Sequence, residues 1–367
     1  MNLSAFSKVY AHELDLPKLH ASWISFQPAD HADISGTSPT NADRVFVGNT
    51  DNGFVLILVI DGHGGYECAE YVRQQLSARV MKYLKGCHPP SKLDDLQPLC
   101  RQLQDIIRLL DEEVISDLTN KLPSSYEMPQ DKSTLEDKFR DEESVAVLKR
   151  AVQGAVLSLV VLSPCKSFGL ALNLGDCHVV LYTPPAEQHR SRRVQVLGHH
   201  HDTQNADELK RLCNGQSIDP VREGRLHGIA EFTRAMGDAL LKVPLPQPVR
   251  QIIGDILEDC YRPGLYPSMA TNIGRADVSN ELIAVAESRI FPLPTGLTNP
   301  LVKSTINQTK EVYLSWYDWI GSSEEGLPAA RLLYENFDRS PDAVVSKYGK
   351  GRMRMDDITV VVADVTN

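Results

Sequence analysis

The sequence has no Cys-x-x-Cys pair, no internal repeat, no apolar run as long as a membrane span and no excess of positive charge. Each absence narrows the reading. The seven cysteines (68, 87, 100, 165, 177, 213 and 260) are odd in number and irregularly spaced. That argues against a disulfide framework and a zinc cluster, and for a reducing, intracellular compartment. The first twenty residues lack the apolar block of a signal peptide, and Glu13 and Asp15 fit poorly with an Arg-rich transit peptide. With a net charge of -10, nothing drives the protein toward nucleic acid or an anionic membrane. The acidity reads as ordinary solubility. No membrane span and no nucleic-acid partner are expected.

What is present is the composition of a globular protein: 42% hydrophobic and 23% charged residues over 367 positions. That length allows one large domain or two ordinary ones. Two stretches read as loops or insertions. One is Lys121–Glu143, rich in charge, Pro and Ser; the other is Pro292–Pro300, with three prolines. Neither is long enough to separate two domains. Strands are predicted at Phe54–Ile60, Gly154–Leu162, Phe168–Leu174, His178–Tyr182, Arg193–Leu197, Leu282–Ala286 and Ile358–Val365. Helices are predicted at Tyr66–Leu84, Leu99–Leu118, Asn205–Cys213, Val249–Cys260, Val302–Trp319 and Ala329–Phe337. In the first of these, Ala69, Val72, Leu76, Val80 and Leu84 fall on one stripe. Trp316 and Trp319, three apart, are expected to fill core. Strands and helices fall in blocks rather than strict βαβ alternation, which implies an α+β layered fold.

The sharpest local feature is Ile60-Asp61-Gly62-His63-Gly64-Gly65, where a buried strand ends in a glycine-rich turn before a helix. The glycines let the backbone turn sharply and approach a ligand. Asp61 at a strand end can offer oxygens to a hard cation such as Mg²⁺ or Mn²⁺, and the Gly62 carbonyl can add another. His63 can give a proton to a leaving oxygen. The bland alternative is a strand–helix turn with a capping Asp. Further along lie Asn173-Leu174-Gly175-Asp176, Thr233-Arg234-Ala235-Met236-Gly237-Asp238 and Asp356-Asp357-Ile358-Thr359.

In this order and spacing, these segments resemble the type 2C metal-dependent Ser/Thr phosphatases. The resemblance runs from about Gly36 to Val365. It implies an α/β/β/α sandwich of two packed, mainly antiparallel sheets flanked by helices. It also implies an N-terminal extension over residues 1–30. A single domain over 31–367 would follow, with insertions near 121–143, 243–270 and 292–325. Leu197-Gly198-His199-His200-His201 resembles the family segment before a short helix, so His201 reads as part of that segment rather than of a zinc site. The ending Arg352–Thr359 and the helix after Lys242 are similar to the pyruvate dehydrogenase phosphatase branch, a resemblance that leans mitochondrial, with mitochondrial and cytoplasmic locations both left open.

The family's chemistry implies two divalent ions bridged by carboxylates, which activate a water for in-line attack on phosphorus. Asp61, the Gly62 carbonyl, Asp356 and Asp43 match ligand positions. Ala42 stands where the family has Glu, and its methyl cannot coordinate. Ser38 stands where an Arg grips phosphate, an Arg also missing from the pyruvate dehydrogenase phosphatase branch. Aligned without a gap, Ser288 replaces the third Asp, and Arg289 beside it would oppose metal binding. Glu287 would reach the site only through a slip or bulge, because neighbouring strand residues face opposite ways. Asp176 and Asp238 are expected to be structural.

Mg²⁺ or Mn²⁺ binding is therefore expected to be weak or absent. The resulting expectation is a pseudophosphatase, a protein-binding scaffold or regulatory subunit for a kinase, a phosphoprotein or a larger assembly. The alternative is an active Mg/Mn-dependent Ser/Thr phosphatase with an altered site, using Asp61, Asp356, Asp43 and Glu287, with His63 as acid. Between them lies binding of phosphorylated segments through Arg44, Arg234 and Arg289. The 121–143 insertion and the region around Val302–Trp319 are where a partner surface is expected.

Overall fold

The apolar run before the Asp-Gly-His turn forms the middle of a six-stranded antiparallel sheet in the structure, a computed structural model. The residues described are 6–16, 19–28, 41–122, 132–183, 193–213, 220–222, 224–261, 282–293 and 358–364. The helices expected at Val302–Trp319 and Ala329–Phe337, and Trp316 and Trp319 with them, lie outside these residues.

The chain divides into two compact units, one of Met1–Asp43 with Thr295–Asn367 and the other Arg44–Pro294. In the first unit, β1 (Phe6–Leu16), β2 (Leu19–Pro28) and β13 (Ile358–Asp364) form an antiparallel sheet in the order β1-β2-β13. Strands from the two ends of the chain thus share one sheet. Neither N-terminal strand was legible as such in the sequence.

In the second unit the sheet runs β12-β6-β5-β4-β3. Its strands are β3 (Arg44–Asn49), β4 (Val55–His63), β5 (Gly154–Leu162), β6 (Phe168–Leu174) and β12 (Glu287–Pro292). Register aligns apolar rows across it: Leu58 with Leu159 and Leu172, Ile60 with Leu157 and Leu174, Leu56 with Val161 and Leu170. These nine side chains are fully buried and lie in one core with helices α1 (Glu67–Lys85) and α2 (Leu96–Thr119). The expected stripe Ala69, Val72, Leu76, Val80 and Leu84 is the face α1 presents to that core. Each large side chain so buried contributes about 1.5–3 kcal/mol.

Two expectations need correction. Lys121–Glu143 is not all loop. It contains α3 (Lys132–Lys138) and the start of α4 (Glu142–Val152), whose N-terminus is capped by Asp141 accepting from the Ser144 amide at 2.8 Å. Leu135 and the nearby Phe139 are buried in a second core with Ile253, Ile256 and Leu257 of α7 (Gln247–Tyr261). The charge and Ser content around them masked that packing. The strand expected at Leu282–Ala286 instead starts at Glu287. Side chains capture the carbonyls of the earlier run: Arg234 donates to Val285 O at 2.8 Å and Gln104 to Ala286 O at 2.8 Å.

The remaining elements are β7 (Val180–Thr183) paired with β8 (Arg193–Val196), α5 (Ala206–Cys213), β9 (Val221–Arg222) paired with β10 (Arg225–Leu226), β11 (Met236–Gly237) and α6 (Ala239–Lys242). β11 pairs with the first two residues of β5, setting Gly237 opposite Gly154, which is itself opposite His63. The six described cysteines are free, and no described helix is long and apolar enough to cross a membrane.

Candidate functional site

At the end of β4 the chain turns through Gly64 and Gly65, both in the left-handed region at φ 71° and 145°. A side chain at Gly65 would also run into that of Gln153. Gln153 closes the turn: its Oε1 accepts from the Glu67 and Cys68 amides at 2.9 and 3.3 Å, and its Nε2 donates to Glu67 at 2.8 Å. The first amides of α1 are therefore consumed by a protein side chain, and Glu67 and Glu70 sit in its first turn. This helix start is not an anion cradle, unlike a phosphate-binding glycine loop.

His63 is held rather than free. Its Nε2 is 2.8 Å from Oδ2 of Asp238, whose side chain is almost wholly buried. The Phe232 ring lies against the imidazole at 4.2 Å between centroids. Asp238 adopts φ 52° and donates its amide to Gln153 O at 3.0 Å. Gly154 makes the pair possible, because a Cβ there would overlap both His63 Nε2 and Asp238 Oδ2. A buried ion pair anchors the same loop from the helix side. Lys242 Nζ lies 2.8 Å from both oxygens of Asp111 on α2 and donates to Ala235 O at 2.7 Å, while Gly237 N donates to Asp111 at 2.8 Å. Burial raises the Asp111 pKa, and the ammonium and the amide oppose that rise. The sequence marked Asp238 as structural; its pairing with His63, 175 residues away, is the contact that reading missed.

The opposite result holds at the expected third metal ligand. Ser288 pairs with Leu172, in the row of Leu159 and Leu58, so its side chain lies on the helix-covered face. There Gln104 of α2 donates to its Oγ at 3.4 Å. Asp61 belongs to the other face. Glu287 is on that face too, in the row of Asn173, Ser158 and Val59. No slip or bulge is needed, because the register that sets Glu287 opposite Asn173 already places it there. Its carboxylate is nevertheless taken: His201 Nε2 lies at 3.2 Å and His199 Nδ1 at 3.6 Å. Three strand spacings separate β12 from β4, about 14 Å. That is too far for Glu287 and Asp61 to share an ion at oxygen–metal distances of about 2.0–2.6 Å. Among the described residues no group of three His, Cys, Asp or Glu side chains is disposed to hold a metal ion. Asp43 donates its amide to Asn41 Oδ1 at 2.7 Å, Ala42 brings no ligand atom in its side chain, and Asp356 and Ser38 lie outside the described residues. Of the expected ligands, the second unit contains Asp61 and the Gly62 carbonyl, and the carboxylate of β12, Glu287, is paired with His201.

Residues 38–253, more than half of the chain, match the protein phosphatase 2C family. The chain belongs to the protein phosphatase 2C family. Its mixed architecture of antiparallel sheets and helices matches that fold. The match ends before β12 and β13, so the Ser288 and Asp356 positions fall beyond it. Solved structures similar to this protein phosphatase 2C member include a C. elegans sex determining protein. It is 17% identical with TM-score 0.43, covering 97% of this chain and 64% of that one. A serine-threonine phosphatase 2C from Toxoplasma gondii is 15% identical, with TM-score 0.46 and 96% and 98% covered. An S. agalactiae serine/threonine phosphatase is 11% identical, with TM-score 0.39 and 98% and 100% covered. The chain thus spans about two thirds of the first of these. Comparison with curated protein sequences finds no match.

The cations weighed as phosphate contacts in this phosphatase 2C domain are largely engaged. Arg234 bonds through Nε (3.0 Å) and Nη2 to buried Glu208 of α5, which also accepts from Thr233 at 2.6 Å and Arg211 at 2.9 Å. Burial pushes the Glu208 carboxyl up, but the bonds from Arg234, Thr233 and Arg211 outweigh it and bring it to about 2. Arg234 is therefore a structural brace. Arg44 donates to Glu70 at 2.7 Å and lies over the Tyr66 ring. Arg289 is exposed and donates to Val196 O at 3.2 Å.

Of the three consecutive histidines, His200 and His201 are buried and His199 is exposed. His201 Nδ1 accepts from the Gly175 amide at 3.1 Å, which leaves Nε2 to donate to Glu287. Burial and Arg234 hold His201 down to about 4. His200 contacts His178 ring to ring, and burial with the His200 charge holds His178 near 3. Burial pushes the Asp176 carboxyl up.

Proposed function

We propose that this phosphatase 2C domain is a pseudophosphatase that works as a protein-binding scaffold or regulatory subunit. The observation that carries the reading is Ser288. The residue aligned with the third metal carboxylate is a serine bonded to Gln104 on the helix-covered side of its strand, away from Asp61. Ala42, with no coordinating side chain, adds to it. Glu287, the acid that could compensate, is bound to His201. Asp61, Gly62, Asp43 and Asp356 keep their ligand identities in the sequence, and Mg²⁺ or Mn²⁺ binding is expected to be weak or absent. Within the family we place the chain nearest the pyruvate dehydrogenase phosphatase branch, on its Arg352–Thr359 ending and on the helix after Lys242. A kinase, a phosphoprotein or a larger assembly is the kind of partner such a domain serves, in the cytoplasm or the mitochondrion.

Calorimetric titration with Mn²⁺ tests this. The expected result is no saturable binding below millimolar concentration. Two tight sites lost together in Asp61→Asn would reject the reading. One observation favours the second reading, an active phosphatase with an altered site: Asp61-Gly62-His63 is intact, and His63 is held by Asp238 as a proton donor would be.

A further inference from the structure

A residue outside every motif of the sequence touches both segments that carry the His63–Asp238 pair. Gln153 follows the last turn of α4 and precedes Gly154, which lies opposite His63 in the β4–β5 ladder. It is buried. Its backbone amide donates to Lys149 O at 2.9 Å, and its carbonyl accepts from the Asp238 amide at 3.0 Å. Its side chain accepts from the first amides of α1, those of Glu67 at 2.9 Å and Cys68 at 3.3 Å, and donates to the Glu67 carboxylate at 2.8 Å. A helix start leaves such amides without a partner in the helix itself. Here the acceptor comes from 86 residues along the chain.

Two glycines make room for this residue. A Cβ at Gly65 would meet the side-chain amide of Gln153, and one at Gly237 would meet its carbonyl oxygen. The turn after His63 therefore abuts the side chain of Gln153, and the loop that ends in Asp238 abuts its backbone. Both ends of the 2.8 Å contact between His63 Nε2 and Asp238 Oδ2 are referenced to a single residue. A carboxylate accepts, so Nε2 carries the hydrogen, and Nδ1 is the nitrogen left to exchange a proton with a ligand.

We propose that Gln153 is the positioning residue of this site: it sets His63 against Asp238 and so holds the imidazole in one tautomer. A functional group keeps its geometry when buried, hydrogen-bonded neighbours support it. Resting on the reading of this turn as a phosphatase 2C site, the role is independent of whether that site turns over.

The test follows the Nε2 proton of His63 in the full chain by NMR, with 15N-labelled histidine and assignment by loss of the signal in His63→Gln. Wild type is expected to show the Nε2–H tautomer and a proton protected from solvent. An ordinary hydrogen bond is worth roughly tenfold in a local opening equilibrium. Gln153→Leu, which fills similar space without an acceptor, should therefore speed exchange of that proton roughly tenfold. Gln153→Glu keeps an oxygen for the Glu67 and Cys68 amides and should restore most of the protection. Leu135→Ala, a cavity in the second core, should lower Tm and leave the exchange unchanged. Exchange in Gln153→Leu equal to wild type overturns the proposal, as does Gln153→Glu exchanging as fast as Gln153→Leu. Acceleration by Leu135→Ala as large as by Gln153→Leu overturns it in favour of general loosening. The Nδ1–H tautomer, or no protected proton, in wild type overturns it too. If circular dichroism shows Gln153→Leu unfolded, Glu67→Ala takes its place, because it removes the acceptor of Gln153 Nε2. Severalfold faster exchange is then expected, and no change overturns the proposal. Phosphatase turnover would overturn the pseudophosphatase reading and leave these exchange rates as expected, so the two fail separately.

Discussion

A missing Cβ at Gly154 lets the ring of His63 meet the carboxylate of Asp238. Gly154→Ala puts a methyl into that contact. Overpacking of this kind costs about 1–3 kcal/mol, which lowers Tm by several degrees in a domain of this size. A scanning-calorimetry Tm equal to wild type would mean the pair readily moves aside. Glu208 makes a second prediction at the same scale. Its folded pKa of about 2 lies below the ordinary 4.5. A depressed carboxyl contributes stability that is present above the ordinary value and lost as pH falls toward the folded one. The shift corresponds to about 3 kcal/mol. Denaturant midpoints should fall between pH 4.5 and 2 in wild type, and fall less in Glu208→Gln, which starts lower at neutral pH. Parallel curves for the two would contradict the assignment. Neither contact was legible in the sequence, because each joins residues far apart in the chain.

At the scale of elements, α2 and α6 are tied by Lys242 and Asp111. Removing one partner leaves the other charge buried and unmatched. Lys242→Met should therefore destabilise by about 3–5 kcal/mol. Adding Asp111→Leu should recover part of that loss, limited by the Gly237 amide left without its acceptor. A double variant as unstable as the single one would show that the pair is not the source. Here the sequence was legible where periodicity was strong: the buried run of β4 and the stripe of α1 follow directly from it. It misled where side chains replaced the backbone ladder. Leu282–Ala286 has the composition of a strand, yet Ile283 makes only an isolated bridge to Arg234, side chains of Arg234 and Gln104 take the Val285 and Ala286 carbonyls, and the ladder begins at Glu287. The register of β12 on β6 decides which of Glu287 and Ser288 shares a face with Asp61. A gapless reading of the sequence could not supply it.

At the scale of the molecule, the family was legible because Asp-Gly-His-Gly-Gly and Arg-Ala-x-Gly-Asp are rare together, and the match over residues 38–253 bears this out. Ala42 and Ser288, the positions at which the sequence leads one to expect missing carboxylates, were legible as identities. Their surroundings were not, since they depend on register. The two features argue for different capacities. The turn Asp61-Gly62-His63-Gly64-Gly65 is present in full, whereas the aligned position on β12 is Ser288. Hydrolysis of p-nitrophenyl phosphate in millimolar Mn²⁺, with wild type set beside Asp61→Asn, separates them most directly. The account predicts that both stay at the background rate. Turnover by wild type that disappears in Asp61→Asn would contradict it, and would mean that the depleted site still assembles its metal.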